Sequence, residues 1–315
     1  MNVWFKLCSM IVACVMMAFS GIGCADFYHQ EQPEASDTIE NPDRNSQTTD
    51  SSDEEKESMM QDIWESIHIK ALTKVGIKVL FIGDSLTFYN DMPSIFEAFS
   101  RAAGKRIRVD SFTKSGMGIA MMRDDATLWA KISDKIASQN WDIIVFQPQR
   151  NQTVMTEFFP RYPWKEYSAA KDLVRLIQNA GAVPILYSTF GVTKGSVTKD
   201  GFTKTMTREE HTNLITAYNA TVSELLDCKA VYVGETFQAA YEKNSSINLY
   251  HEDQTHPCEA GSYLIAVDFY TVIFGESAEK VNYSGGLDAE MASFLREQST
   301  LLLQFAPTQK AEVKE

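Results

Sequence analysis

Apolar residues in this chain gather into short unbroken runs, and between the runs they recur with a helical period. Ile77–Ile82 and Trp141–Phe146 are almost wholly apolar and rich in β-branched residues, the pattern of strands buried on both faces of a parallel sheet. Val183–Tyr187 and Ala230–Val233 supply two further strands. Arg106–Phe112 alternates polar and apolar positions, which suits a sheet edge. Helical spacing marks Met92–Ala103, Ile119–Ser138, Glu166–Asn179, Glu209–Leu226, Cys258–Phe274 and Leu287–Phe305. Pro93 falls in a first helical turn, where its missing N–H is tolerated, and Gly104 closes the same helix.

Strands alternating with helices across short connections predict an α/β domain with one doubly wound parallel sheet. About 250 residues suit one such domain. The longest irregular stretch is Ser188–Arg208, with Gly191, Gly195 and Gly201. It comes after the fourth strand, so it lies at the carboxyl edge of the sheet, where a long loop makes a substrate wall.

Charge changes the picture at the amino-terminal end. The 315 residues carry a net charge of -13, yet 13 acidic residues against 2 basic ones lie between Asp26 and Glu65. From Ser66 onward the chain is nearly neutral, and no basic patch argues for nucleic acid. Residues 1–25 read as an export signal: Lys6, an apolar core over Ile11–Phe19, then Ser20-Gly21-Ile22-Gly23-Cys24-Ala25. Cys24 stands where a bacterial lipoprotein cysteine would be lipidated, behind a loose lipobox with Gly21 in place of the usual leucine. Lipidation is favoured over simple cleavage near Ala25, and both are favoured over an amino-terminal core helix. Residues 26–60 are acidic, polar and poor in large aliphatics, the composition of an extended linker without a fold. The folded domain is expected over residues 61–315. The chain is thus expected to be exported and held by a lipid to a membrane, in a bacterial periplasm or at the outer membrane or cell surface.

Of five cysteines, Cys8 and Cys14 fall in the signal and Cys24 is the lipid site. Cys228 and Cys258 remain, and two isolated buried thiols are favoured over a disulfide. N-x-S/T triplets such as Asn219-Ala220-Thr221 are read as chance.

The candidate chemistry starts where the first strand breaks at Gly83-Asp84-Ser85. A serine there sits at the carboxyl edge of the sheet, where open α/β folds bind ligands. Gly83 permits a tight turn and Asp84 can cap the next segment. Far downstream, Asp253-Gln254-Thr255-His256 supplies a carboxylate and a base three residues apart, so one turn can present both to the same side. A serine hydroxyl becomes a nucleophile when a histidine takes its proton and a carboxylate orients that histidine. His251 is the alternative base. A metal site from His251, Glu252, Asp253 and His256 is the rival, weakened by the lack of a second ligand cluster. His29 lies in the tail, and His68 and His211 read as surface or boundary residues. G-x-S-x-G is absent, which argues against an α/β-hydrolase elbow.

A tetrahedral oxyanion needs preorganised donors. The Ser85 N–H is available at the turn, and Ser115-Gly116-Met117-Gly118 after the second strand offers the Gly116 N–H. Gln147, Gln149 and Asn151 after the third strand offer carboxamides. Trp129, Tyr162, Trp164 and Tyr250 serve equally well as a sugar-stacking rim or as packing.

These residues together resemble the SGNH (GDSL-type) hydrolases. Gly83-Asp84-Ser85-Leu86-Thr87 matches the first block of that family, Gly116 the glycine of the second, and Asp253-x-x-His256-Pro257 the fifth. The resemblance covers Ile77–Phe274 and implies a three-layer α/β/α, flavodoxin-like fold with a five-stranded parallel sheet. It also implies a Ser85-His256-Asp253 triad and ester hydrolysis with no metal and no cofactor. The third block is usually G-x-N-D; Gln-Pro-Gln-Arg-Asn stands here instead. In this the chain is similar to the branch, common in gut Bacteroidota, with a glutamine after the third strand. Gln147, then Gln149, is the expected third oxyanion donor beside the Ser85 and Gly116 N–H groups. The expected activity is removal of O-acyl groups, acetyl foremost, from an acylated glycan or small ester. A lipase or thioesterase of the same fold and a non-catalytic glycan-binding surface lipoprotein are the alternatives. The oligomeric state is not legible.

Overall fold

Five strands form one parallel sheet: β1 (Ile77–Gly83), β2 (Ile107–Thr113), β3 (Ile143–Phe146), β4 (Val183–Ser188) and β7 (Lys229–Tyr232), in the order β2-β1-β3-β4-β7. The computed structural model describes residues 50–150, 162–192, 195–199 and 202–311. The export signal, Cys24, His29, residues 26–49 and Asn151 lie outside the described residues, as do the side chains of Tyr162 and Trp164.

The apolar strand runs put alternate residues on opposite faces. Val79, Phe81, Ile143, Val145, Ile185 and Val231 face one core, and Leu80, Ile82, Ile144, Phe146 and Leu186 face the other. The first core is covered by α1 (Asp50–Leu72), α3 (Met92–Ala102), α8 (Val233–Lys243), α9 (Glu259–Phe274) and α10 (Ala289–Ser299). The second is covered by α4 (Ile119–Asp124), α5 (Ala126–Ala137), α6 (Tyr162–Asn179) and α7 (Arg208–Leu225). This is the expected three-layer α/β/α arrangement, with all five expected strands in place. The strand order reverses between β1 and β3, and such a switch point opens a crevice at the carboxyl ends of the two strands.

Four elements depart from the sequence reading. Composition places residues 50–60 in the linker, but α1 begins at Asp50 and takes them in. Its hold on the core is a narrow stripe, Trp64, Ile67 and Ala71, in a surface of charged residues. The stretch Ile119–Ser138 is two helices, because the Asp125 carboxylate caps the second by accepting from the Thr127 and Leu128 N–H groups. Ser188–Arg208 holds an antiparallel hairpin, β5 (Gly195–Lys199) and β6 (Phe202–Met206). Helix α8 starts directly at the end of β7 with no capping side chain, so no stop signal separates strand from helix.

Asp268 lies in α9 without exposure to solvent. Its Oδ2 is 2.6 Å from the Thr236 Oγ1, which is also 2.9 Å from the Val233 carbonyl. One hydroxyl has one hydrogen. Given to the carbonyl, it leaves the carboxyl as the donor, and burial raises the Asp268 pKa well above its ordinary value to match. The carboxyl is neutral in both states below its unfolded pKa. Above that, only the unfolded chain loses the proton, so stability falls as pH rises toward the folded value. Asp268→Asn is therefore expected to be at least as stable as wild type at neutral pH, with a flatter dependence of unfolding free energy between about pH 5 and pH 8. Denaturant titrations across that range check this. An unchanged slope would contradict a buried neutral carboxyl.

Candidate active site

Strand β1 ends against a crowded wall. A Cβ on Gly83 would lie 2.3 Å from the Thr87 Oγ1 and 2.8 Å from the Gln147 Oε1, so the glycine is dictated by close approach. Asp84 then caps the short helix α2 (Ser85–Phe88), its Oδ1 accepting from the Leu86 N–H at 2.9 Å. Ser85 becomes the first residue of that helix, at the mouth of the crevice. Its N–H is one of the donors that a helix start leaves without an internal partner.

Gln147 locks this turn from β3. Its N–H bonds the Ile82 carbonyl at 2.9 Å. Its Oε1 accepts from the Thr87 Oγ1 at 2.6 Å and the Asp84 N–H at 3.2 Å, and its Nε2 donates to the Asp84 Oδ1 at 2.9 Å. Burial pushes the Asp84 pKa up, against the Leu86 N–H and the Gln147 amide that favour its charge. The preference for Gln147 as an oxyanion donor is thus corrected. The side chain is buried, and its amide is directed at Asp84 below the nucleophile turn.

Asp253 and His256 stand in a loop closed at its neck by the Tyr250–Pro257 bridge, the His251 N–H to His256 carbonyl bond (2.8 Å) and the Cys258 N–H to Leu249 carbonyl bond (3.0 Å). The Asp253 Oδ1 accepts from the Thr255 and His256 N–H groups, both at 2.9 Å. That leaves Oδ2 pointing at the His256 Nδ1, 2.6 Å away. The His256 Nε2 lies 2.8 Å from the Ser85 Oγ. Partial burial opposes the charge of Asp253, but the backbone and ring N–H groups of His256 and the Thr255 N–H outweigh it and hold the carboxyl far below its usual range. An ionised Asp253 fixes the proton on Nδ1 and leaves Nε2 to accept the serine proton. The Arg150 guanidinium, buried over the Phe190 ring, donates to the Thr255 carbonyl at 3.0 Å and ties this loop to the end of β3.

Gly116 lies just beyond β2 at φ +70°, in the left-handed region that favours glycine. Its loop is pinned to the nucleophile turn by the Lys114 N–H to Gly83 carbonyl bond at 3.0 Å. The Gln149 Nε2 donates to the Gly116 carbonyl at 3.2 Å. Glu166 holds both loops from α6. Its buried carboxylate accepts from the Ile119 and Gln149 N–H groups at 2.9 and 3.0 Å and from the Ala120 N–H at 3.0 Å. Burial raises its pKa while those three N–H groups pull it down, and the Asp84 charge adds to the rise. Among the described residues, the Ser85 and Gly116 N–H groups bond no protein acceptor.

Ser85, Asp253 and His256 are therefore brought together, and the loop of Gly116 is tied to the same turn through Lys114. Tyr250 is buried, its hydroxyl donating to the Gly191 carbonyl at 2.5 Å, and Trp129 packs on the second core; both are packing residues. His211 departs from its surface reading. It is buried, its Nδ1 accepts from the Val192 N–H at 3.2 Å, and burial with the nearby Arg150 pushes its pKa down to about 3. His68 is half-buried and bonds the Ile273 carbonyl at 2.7 Å. Cys228 and Cys258 are separate thiols, and burial pushes the Cys228 thiol up to about 12. Among the described residues, no three His, Cys, Asp or Glu side chains converge as metal ligands. Glu166, Arg150 and Tyr89, whose ring lies on His256, carry no motif that marks them in sequence.

No family model matches the chain, and no curated protein matches it. Solved structures do. A DUF4886 family protein from Bacteroides uniformis aligns over 75% of this chain and 98% of its own at 15% identity, with a TM-score of 0.61. A protein from Slackia heliotrinireducens provisionally called an SGNH hydrolase aligns over 61% and 96% at 22% identity, TM-score 0.49. An acetylxylan esterase from Geobacillus stearothermophilus aligns over 65% and 98% at 17% identity, TM-score 0.43. At these identities the likeness is one of fold. This chain shares the three-layer α/β/α arrangement of the DUF4886 family protein.

A brace differs from a donor in what its loss does. Gln147→Ala is expected to cost about 2–3 kcal/mol of stability, because it leaves buried groups of Asp84 and Thr87 without partners. Chemical denaturation checks this, and an unchanged unfolding free energy would return Gln147 to the candidate oxyanion donors.

Proposed function

We propose that the protein is an exported serine esterase that removes short acyl groups, acetyl foremost, from carbohydrate. The observation that carries the reading is the continuous relay from the Ser85 Oγ through both nitrogens of His256 to the Asp253 carboxylate. In the reaction, Ser85 Oγ attacks the ester carbonyl as His256 Nε2 takes its proton. Asp253 stays ionised beside the imidazolium. The Ser85 and Gly116 N–H groups stabilise the oxyanion, and the Gln149 carboxamide holds the Gly116 loop. Collapse of the tetrahedral intermediate expels the alcohol, which takes the proton back from His256. Water then cleaves the acyl-enzyme through the same base.

A polar alcohol suits the surroundings. Asn90, Asp91, His251, Glu252 and Gln254 around the relay are exposed, and the Asp253 side chain itself is 40% exposed. A sugar hydroxyl can leave into such a collar without stripping an apolar chain from water.

The test is release of acetate from a panel of acetylated glycans, beside p-nitrophenyl esters of rising acyl length. Turnover is expected on acetyl esters, falling with chain length and lost in Ser85→Ala to about a thousandth or less. Turnover that rises with chain length would point to a lipase or thioesterase. Absence of turnover on every ester would point to a glycan-binding protein.

The anchor is proposed with it: Cys24 carries lipid and the acidic segment spaces the enzyme from the membrane. The mature protein is expected to begin at Cys24, to partition with membranes and to be released by Cys24→Ser. Mass spectrometry of the mature amino terminus reads this, and a soluble form beginning at Asp26 would overturn it.

A further inference from the structure

We infer that Tyr89 is a positioning residue for the His256 imidazole, and that the strained turn it opens grips the base from the segment carrying the nucleophile. The inference rests on the serine-esterase reading for the role of His256. Two hydrogen bonds hold that imidazole at its edges, Nδ1 to Asp253 and Nε2 to Ser85. Both act at the rim of the ring and neither packs on its faces. Tyr89 covers one face. Its ring lies flat on the imidazole, with centroids 4.4 Å apart and planes 10° from parallel. His251 closes the other edge of the phenol ring, T-shaped at 5.4 Å. The same aromatic face stands next to the positive charge that forms when His256 takes the serine proton, an arrangement that favours the cation.

The backbone turn that follows the phenol ring is strained. Tyr89 leaves helix α2 four residues after Ser85, and the next two residues, Asn90 and Asp91, sit at φ 51° and 54°. Left-handed backbone at two successive residues other than glycine persists only when the surroundings enforce it. The enforcing bonds come from the other half of the site. The Asn90 Nδ2 donates to the carbonyl of Pro257, the residue after His256, at 3.0 Å and to the Ser262 Oγ at 2.9 Å. The Ser262 Oγ in turn donates to the Tyr89 carbonyl at 3.2 Å. Segments more than 160 residues apart in sequence are thereby clasped at the base and the nucleophile together. Tyr89 acts through the imidazole it covers.

The test uses the full chain and two readouts that do not need the natural ester. The first is the rate at which a fluorophosphonate modifies Ser85. The serine oxygen bonds phosphorus, fluoride leaves, and His256 takes the proton, so the rate measures activation of the nucleophile. The second is the ring-current displacement of the His256 carbon-bound protons in NMR spectra. Tyr89→Phe is expected to keep the displacement and to stay within about threefold of the wild-type rate. Tyr89→Leu is expected to lose the displacement and about 10- to 100-fold in rate, with KM for any ester turned over unchanged. Asn90→Gly keeps the backbone angle but cuts the clasp, and is expected to lose rate to a smaller degree. The inference is overturned if Tyr89→Leu, or Asn90→Gly should the first variant not fold, reacts at the wild-type rate. It is equally overturned if Tyr89→Phe is as slow as Tyr89→Leu, since the hydroxyl would then be what acts. A wild type that reacts with the phosphonate but hydrolyses none of the ester panel would remove the substrate proposal and leave this one standing.

Discussion

Gln147 and Asp84 exchange hydrogen bonds in both directions beneath Ser85, and the geometry of the site depends on that exchange. It joins the ends of β1 and β3, the two strands that flank the switch point of the sheet. A carboxamide can accept from one atom of a residue and donate to another, which an ionised carboxylate at this place could not do. Gly83 is the consequence. Any side chain there would collide with Thr87 and Gln147, and the turn that presents Ser85 could not close over them.

The base arrives by a different route. The loop from His251 to His256 is closed by its own backbone, with Asp253 folded onto the N–H groups of its neighbours. Such a loop can form locally and must then be aimed. Arg150 reaches it from β3, Asn90 and Tyr89 reach it from the nucleophile segment, and α9 begins directly behind it. Glu166 does the corresponding work for the loops of Gly116 and Gln149, spreading one buried carboxylate over three backbone donors. Gly116 and Ser85 thus come from the ends of β2 and β1 and His256 from the loop before α9, and buried polar side chains tie these segments together.

The strands were legible because burial on both faces leaves an unbroken apolar run, as in Ile143–Phe146. Ser85, Asp253 and His256 were legible because their chemistry is local: a strand break, and a carboxylate one turn before an imidazole. Direction and distance hid the rest. Gln147 and Gln149 look alike in sequence, and only the packing on Gly83 shows that the first points down into the protein. His211 lies among polar neighbours in sequence, yet α7 turns it inward. Helix α1 buries three residues among many charged ones, too thin a stripe for periodicity to separate from a linker. Tyr89 and Asn90 owe their roles to partners more than 160 residues away.

The central claim is that Ser85 is the residue that carries the acyl group. It is tested most directly by rapid acid quench of the protein during turnover of an acetyl ester, with peptide mapping in a mass spectrometer as the readout. An acetyl group on the peptide containing Ser85, absent from His256→Ala treated in the same way, is the predicted result. Turnover with the acetyl group on another residue would contradict the account.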